Sequence, residues 1–157
     1  MERTTPCLWF DTHGEEAANF YVSVFPNSRI VRVSHYGEAG PRPAGMVMTV
    51  DFELDGRPYV ALNGGAQFTF SEAVSFQITC ADQDEVDYYW SKLGEGGEHG
   101  PCGWLKDKFG LSWQVIPTAL MELTRDPDPA KSQAVMAAML GMGKIVVSEL
   151  QAAYDTA

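Results

Sequence analysis

The chain has 157 residues, a formal net charge of −10 and a pI near 4.6. Nucleic acids and anionic lipid surfaces are bound through clusters of Lys and Arg, so this charge argues against both as partners. A chain of this length can bury a hydrophobic core without a structural metal or a disulfide. We therefore expect one domain that binds neither nucleic acid nor membrane.

The three cysteines have no CxxC spacing, and no secretory signal precedes them. This pattern favours a reducing compartment, so we expect a cytoplasmic protein with free thiols. The apolar strand patterns around Cys7 and Cys80 predict that both thiols are buried, whereas Cys102, in a loop, is predicted to be exposed. Every apolar run is shorter than the about 20 residues that a membrane-spanning helix needs.

The first part of the chain, residues 4–65, has the pattern of a βαβββ module. The predicted elements are, in chain order, a strand over 5–11, a helix over 14–25, and strands over 28–36, 46–54 and 57–63. Apolar and polar residues alternate most clearly over 46–54, which indicates a strand buried on one face. Asp55-Gly56 is typical of a type I′ turn, so the next strand should return antiparallel.

Residues 72–118 repeat this order with little identity between the two parts. A strand over 74–80 is followed by a helix that Asp82 caps, a Gly-rich loop and short strands that end at Pro117. The sequence therefore predicts two tandem βαβββ modules.

The tail, residues 119–157, is rich in Ala, Met and Leu. Asp128-Pro129 predicts a helix start, and Gly141-Met142-Gly143 separates that helix from a second one. We expect a helical hairpin packed against the sheet or a partner chain. Its apolar residues are interpreted as core filler rather than as a binding face: Met136, Met139, Leu140 and Met142.

Four motifs together form a specific combination: the segment Thr5 to Asp11, the helix end Tyr21-x-x-x-Phe25-Pro26-Asn27-Ser28, the turn Asp107 to Gln114 with its Phe-Gly-x-x-Trp-Gln pattern, and Asp126-Pro127-Asp128. They resemble those of the PhnB-like family, which belongs to the vicinal oxygen chelate superfamily. The resemblance covers nearly the whole chain. It implies the α+β glyoxalase and bleomycin-resistance fold, in which tandem βαβββ modules form curved mixed sheets, and usually a homodimer.

The family often carries the label 3-demethylubiquinone-9 3-methyltransferase. A methyltransferase of the common type needs a glycine-rich turn directly after a strand and an acidic residue at the end of the next strand. The glycines at 94, 96, 97 and 100 instead follow a predicted helix. The residues therefore do not support the activity that the label names.

Metal-dependent relatives hold a divalent ion with side chains from the first, fourth, fifth and eighth strands. The resemblance places Pro6, Asn63, Ser75 and Gln114 at those four positions. None is a carboxylate or an imidazole, so we expect no metal and no other cofactor. None of the three histidines has a second histidine or a cysteine at i+2 or i+4.

Asn63, Ser75 and Gln114 are predicted to point into a cup, where each must bond to another residue, to water or to a ligand. Two interpretations stay open, a pocket for a small organic molecule and a closed hydrogen-bond network in a vestigial site. The candidate apolar walls of such a pocket are Trp9, Phe68, Trp104 and Trp113.

The preferred hypothesis is a homodimer whose metal-free cups bind a small organic molecule, with or without a reaction. The first alternative is a metal-dependent lyase, isomerase or dioxygenase of the superfamily. The second is the methyltransferase of the family label. No Gly-x-Ser-x-Gly elbow is present, and no cysteine has a histidine at a recognisable spacing, so nothing indicates nucleophilic catalysis.

Overall fold

The computed structural model describes residues 2–157, which divide into two compact units, one ending at Phe70 and one beginning at Ser71. The elements of the first unit are β1 (Cys7–Phe10), α1 (Gly14–Val24), β2 (Arg29–His35), β3 (Val47–Leu54) and β4 (Arg57–Asn63). Its sheet has the order β1-β4-β3-β2, with β1 parallel to β4 and the other pairs antiparallel. The predicted βαβββ order is confirmed.

The first sheet buries one face under α1. In β3 the residues Val50, Phe52 and Leu54 are buried while those between them are half-buried, as the alternation predicts. Phe52 stacks between Tyr21 of α1 and Tyr59 of β4, with ring centroids 6.3 and 5.5 Å away. These aromatic contacts fix the helix on the sheet.

The predicted hairpin between β3 and β4 is also confirmed. Asp55 and Gly56 have φ values of 49° and 78°, and Leu54 pairs with Arg57 across the turn. Positive φ at both central residues is the mark of a type I′ turn, which matches the twist of the two strands.

The second unit begins with a module of the same order. Its elements are β5 (Ser75–Cys80), α2 (Gln83–Gly94), β6 (Glu98–His99), β7 (Trp104–Lys106) and β8 (Ser112–Pro117), in a sheet of order β5-β8-β7-β6. β5 is parallel to β8, and the other pairs are antiparallel. Asp82 caps α2 as predicted, because its carboxylate accepts a hydrogen bond of 3.0 Å from the Glu85 amide.

The tail forms three helices, so the two predicted helices are confirmed and a third, which the sequence does not predict, precedes them. The three helices are α3 (Thr118–Thr124), α4 (Pro129–Leu140) and α5 (Val147–Asp155). α3 starts directly after β8 with Pro117 at its N-cap and no side-chain cap, so the sequence carries no start signal for it. α4 does begin at Asp128-Pro129, where Asp128 accepts a hydrogen bond from the Ala130 amide.

The tail has its own core of five buried residues: Leu120, Val135, Met142, Ile145 and Leu150. The interpretation of the four apolar tail residues as core holds for Met142, which is buried, and for Met139, which packs against the core. It is wrong for Met136 and Leu140, which are 36% and 64% exposed. α4 turns Val135 inward, and successive residues lie about 100° apart around a helix, so Met136 cannot share that face.

The tail packs against α2. The Gln83 amide accepts a hydrogen bond of 2.7 Å from the Val147 N–H and donates one of 3.0 Å to the Ile145 carbonyl. Lys144 forms an ion pair of 2.9 Å with Asp87. One glutamine thus fixes the start of α5 on the second module. None of the helices among residues 2–157 is long and apolar enough to cross a bilayer.

The tail also contacts the loop between β6 and β7. The amides of Cys102 and Gly103 donate hydrogen bonds of 2.8 Å to the carbonyls of Met142 and Gly143. Gly103 has φ of 82°, and a Cβ there would lie 2.7 Å from the Val115 carbonyl oxygen. A glycine is therefore required where this loop passes between β8 and the tail.

Candidate functional site

The side chains that could bind a ligand in the second unit lie on the face of its sheet opposite α2, called here the open face. Side chains alternate along a strand, so Ser112 and Gln114 of β8 lie on this face, whereas Trp113 and Val115 face α2. β5 contributes Ser75 to the open face, since it pairs with Ser112.

Two predicted site residues meet on the open face. The Gln114 side-chain amide donates a hydrogen bond of 2.8 Å to the Ser75 hydroxyl. The Gln114 oxygen accepts a longer one, 3.4 Å, from Gln77. Trp104 of β7 pairs with Gln114 across the ladder, so it lies on the same face and is half-buried.

Beside this cluster the open face holds a cavity of about 460 Å³, called here the β7 pocket. The volume falls within the range of pockets that hold small molecules. All of the lining residues belong to the second unit: Glu72, Glu98, His99, Gly100, Pro101, Trp104, Leu105, Lys106 and Ser112. Of the predicted site residues, only Trp104 is among them.

Ser112 lines the pocket and has a buried hydroxyl without a hydrogen-bond partner in the described part of the chain. Its side chain is 1% exposed. The two residues opposite Ser112 on the neighbouring strands, Ser75 and Lys106, already have other partners. Ser75 bonds to Gln114, and Lys106 is paired with Glu72. A buried hydroxyl in this state costs about 1–3 kcal/mol, so a ligand that bonded to it would recover that free energy.

Lys106 and Glu72 form an ion pair at the rim of the pocket. The hydrogen bond between them lowers the pKa of the Glu72 carboxyl and raises the pKa of the Lys106 ammonium. Both side chains are well exposed, so the pair contributes little to stability. Glu98 pairs with Lys106 across the β6–β7 ladder and brings a second carboxylate to the pocket.

His99 is held in a fixed orientation. Its ring stacks on Trp90 at 4.4 Å, with an angle of 11° between the planes, and its Nε2 lies 2.9 Å from the Trp90 carbonyl oxygen. A carbonyl can only accept, so the proton is on Nε2, and in the neutral ring Nδ1 is an acceptor. A Cβ on Gly94 would come 2.0 Å from Nε2, so the glycine makes this contact possible.

Asn63 lies on the helix side of the first sheet. It is 2% exposed, its Oδ1 accepts a hydrogen bond of 2.8 Å from the Gly14 amide, and its Nδ2 donates one of 3.1 Å to the Val47 carbonyl. Its neighbour Leu62 lies on the opposite face, where it pairs with Trp9. Successive side chains of a strand lie on opposite faces, so Asn63 points toward α1 and not, as the sequence predicts, into a cup on the other face of its sheet.

Trp9 and Phe68 are brought together in the first unit. Their rings meet edge to face at 4.9 Å, and the Trp9 indole donates a hydrogen bond of 2.8 Å to the Gly65 carbonyl. Phe68 is 65% exposed. A Cβ on Gly64 would lie 2.4 Å from the Trp9 ring, so this glycine lets the chain pass over the indole.

Trp113 does not lie with Gln114 as the predicted pocket required. It is 3% exposed on the α2 side of β8, and its indole donates a hydrogen bond of 2.9 Å to the Asp107 carboxylate. The same carboxylate accepts from the amides of Phe109 and Leu111, at 2.8 and 3.1 Å. The Phe-Gly-x-x-Trp-Gln pattern is therefore the signature of a closed turn around Asp107.

The three cysteines form no disulfide, and the prediction of their burial is correct for one. Cys80 is buried, and desolvation raises the pKa of its thiol to about 12. Cys7 is exposed, contrary to the prediction, because it begins β1 on the face opposite to Leu8 and Phe10. Cys102 is half-buried rather than exposed, since the tail covers its loop.

The residues at the four positions that the resemblance assigns to a metal site do not fit a divalent ion. Pro6 lies at the start of the β1–β4 ladder, where its carbonyl accepts from Val60, and Asn63 lies at the other end. Ser75 and Gln114 are adjacent but uncharged, and they bond to each other. Within residues 2–157 no three His, Cys, Asp or Glu side chains form a cluster that could hold a metal ion.

The sequence profile of the 3-demethylubiquinone-9 3-methyltransferase family matches residues 2–116. Among solved structures, the PhnB protein of Bacillus cereus shares 35% identity with the chain, covers 74% of it and 99% of its own length, and superposes with a TM-score of 0.66. No curated protein sequence is significantly similar to the chain.

Two more distant structures share the fold. Protein PA1353 from Pseudomonas aeruginosa is 18% identical, with coverage of 74% of this chain and 98% of its own and a TM-score of 0.62. The fosfomycin resistance protein FosX from Listeria monocytogenes is 12% identical, with coverage of 74% and 93% and a TM-score of 0.51. The profile match and the Bacillus relative together show that the chain belongs to the PhnB-like, 3-demethylubiquinone-9 3-methyltransferase family of glyoxalase-fold proteins.

Proposed function

We propose that the protein binds a small organic molecule in the β7 pocket and that it does so without a metal ion. The observation that carries this proposal is the Ser112 hydroxyl, which is buried, unpaired and part of the pocket lining. Native proteins satisfy nearly all of their buried polar groups, so an exception that borders a cavity supports a role in binding.

The alternative of a closed, vestigial network explains only part of the open face. Ser75, Gln77 and Gln114 do bond among themselves. The network does not extend further: Ser112 lies directly opposite Ser75 on the neighbouring strand, but its hydroxyl forms no hydrogen bond with the network. A ligand in the pocket would have Trp104 and Pro101 as apolar walls and Ser112 as a polar anchor.

The absence of charge among the aligned metal positions supports the metal-free part of the proposal. A hydroxyl and an amide that already bond to each other offer little to a divalent cation. Elemental analysis of protein purified without a chelator, repeated after incubation with zinc, nickel, manganese and iron(II), tests this part. About one tightly bound metal per chain would contradict it and favour a metal-dependent lyase, isomerase or dioxygenase.

The name of the family refers to a methyltransferase, but the fold gives this activity no support. The common methyl-donor site lies at a switch point of a doubly wound parallel sheet. Each sheet here contains a single parallel pair, β1 with β4 or β5 with β8. A thermal shift with S-adenosylmethionine would contradict this reasoning.

A screen of small organic molecules by NMR tests the binding proposal. We expect hits to shift the indole N–H resonance of Trp104, which a Trp104→Phe variant assigns. Ser112→Ala should weaken those hits by about tenfold, since it removes one buried hydrogen bond, while leaving stability unchanged or raised. The matched control, Ser132→Ala, changes a serine near the start of α4 and should bind as the parent does. Hits that shift Trp104 equally in Ser112→Ala would contradict the assigned anchor.

We also propose that the protein is a cytoplasmic homodimer, as the family resemblance implies. Light scattering on the purified protein should give a mass of about twice the 17.3 kDa of the chain. A mass equal to that of one chain over a wide concentration range would contradict it.

A further inference from the structure

The β7 pocket contains hydrogen-bond acceptors that have no partner among residues 2–157. Its one cationic side chain, Lys106, already donates to Glu72. The Glu98 carboxylate forms no ion pair among residues 2–157 and can only accept. The Ser112 hydroxyl can both accept and donate and is engaged in neither way.

The charges of the lining point in the same direction. Glu72 and Glu98 bring two carboxylates, whereas Lys106 brings a single ammonium group. These three side chains together carry a net charge of −1, next to the buried Ser112 hydroxyl and the Trp104 indole. An indole ring favours cations near its face, so an aromatic wall next to an excess of carboxylate suits a positively charged ligand.

We infer that the ligand of the β7 pocket is a small organic cation, an ammonium or amidinium group on an apolar body. The nitrogen donates to Glu98 and to the Ser112 hydroxyl, and the apolar body packs on Trp104 and Pro101. This inference rests on the proposed function, because it names the ligand class of the same pocket. An anionic ligand would instead meet two carboxylates in the lining, Glu72 and Glu98, against the single ammonium group of Lys106.

Three probes of nearly equal shape test the inference: benzylamine, benzyl alcohol and benzoate. Each is titrated into the 15N-labelled full chain, and the shift of the Trp104 indole resonance is followed at low ionic strength, because salt screens an exposed carboxylate such as Glu98. We expect benzylamine to bind roughly tenfold more tightly than benzyl alcohol, as a charge-assisted hydrogen bond adds to the same apolar contacts. Benzoate should bind more weakly than either.

Variants test whether the Glu98 carboxylate causes the preference for benzylamine over benzyl alcohol. Glu98→Gln should reduce the preference for benzylamine over benzyl alcohol to within about threefold. Glu122→Gln, a change of the same kind on the exposed side of α3, should leave the preference intact. An unchanged preference in Glu98→Gln would overturn the assigned contact.

The outcomes separate this inference from the proposed function. Tighter binding of benzoate or benzyl alcohol than of benzylamine would overturn the cationic class while supporting a binding pocket. Failure of all three probes to shift Trp104 at concentrations up to their solubility would overturn both.

Discussion

Gly14, the first residue of α1, and Asn63, the last residue of β4, are joined by a buried hydrogen bond. The Gly14 amide donates to the Asn63 Oδ1 at 2.8 Å, and a Cβ on Gly14 would come 2.7 Å from the same oxygen. The Asn63 amide nitrogen donates to Val47 of β3 at 3.1 Å. One buried side chain therefore joins the start of the helix to the sheet.

Replacement of Asn63 by Leu should lower the free energy of unfolding by about 2–4 kcal/mol. The substitution keeps a similar volume but leaves the Gly14 N–H and the Val47 carbonyl without partners in a buried place. Urea unfolding followed by circular dichroism measures the change. Asn19→Leu, on the exposed side of α1, is the control and should stay within about 0.5 kcal/mol of the parent. Equal losses in the two variants would show that burial of Asn63 is not the cause.

Asp107→Asn should also destabilise the protein, by about 1–3 kcal/mol. The carboxylate accepts from two backbone amides and from the Trp113 indole, and the amide group of Asn would place N–H against one of these donors. Urea unfolding monitored by tryptophan fluorescence is the measurement. Asp155→Asn, at the exposed end of α5, should be nearly neutral. A neutral Asp107→Asn would contradict the proposed role of the turn.

Gln83→Ala should loosen the start of α5 without unfolding the second module. Without the Gln83 oxygen, the Val147 amide loses its acceptor, so its hydrogen exchange should accelerate. Exchange read by mass spectrometry on peptides that cover residues 145–147 tests this. Gln133→Ala changes an exposed residue of α4 and should leave the same peptides unchanged. Similar exchange in parent and Gln83→Ala would show that the tail is held by other contacts.

Alkylation should distinguish the cysteines by exposure and pKa. At about pH 8 we expect iodoacetamide to modify Cys7 while Cys80 stays unmodified, because its pKa of about 12 leaves almost no thiolate. Partial burial also raises the pKa of Cys7, so its labelling should accelerate as the pH rises toward that pKa. Cys7→Ser should remove the fast phase, whereas Cys80→Ser should not. Fast modification of Cys80 in the folded protein would contradict the burial of its thiol.

The elements and their order could be predicted because periodicity and turn residues are local signals. Asp55-Gly56 and Asp82 each specify a turn or a cap through their own side chains and backbone, and the structure has both. α3 could not be predicted in this way, because it begins without a side-chain cap directly after Pro117.

The site could be predicted only in part because it depends on strand register. The sequence predicts that Ser75 and Gln114 lie together, and they bond to each other, but Asn63 and Trp113 are buried on the helix sides of their sheets. The alternation along β8 could have revealed Ser112, since a residue two positions before Gln114 must share its face. Nothing local shows that its hydroxyl is unpaired, because that depends on the partners of Ser75 and Lys106 on other strands.

The contacts of Cys102 and Gly103 with the tail give the pocket a support that the family profile does not contain. The match to the family profile ends at residue 116, before α3 begins, and 74% of this chain covers 99% of the Bacillus relative. Pro101, which lines the pocket, is next to the two residues whose amides bond to Met142 and Gly143. The tail thus supports part of the wall of the β7 pocket, so we expect substitutions in the tail to change the shape of this pocket while residues 2–116 stay unchanged.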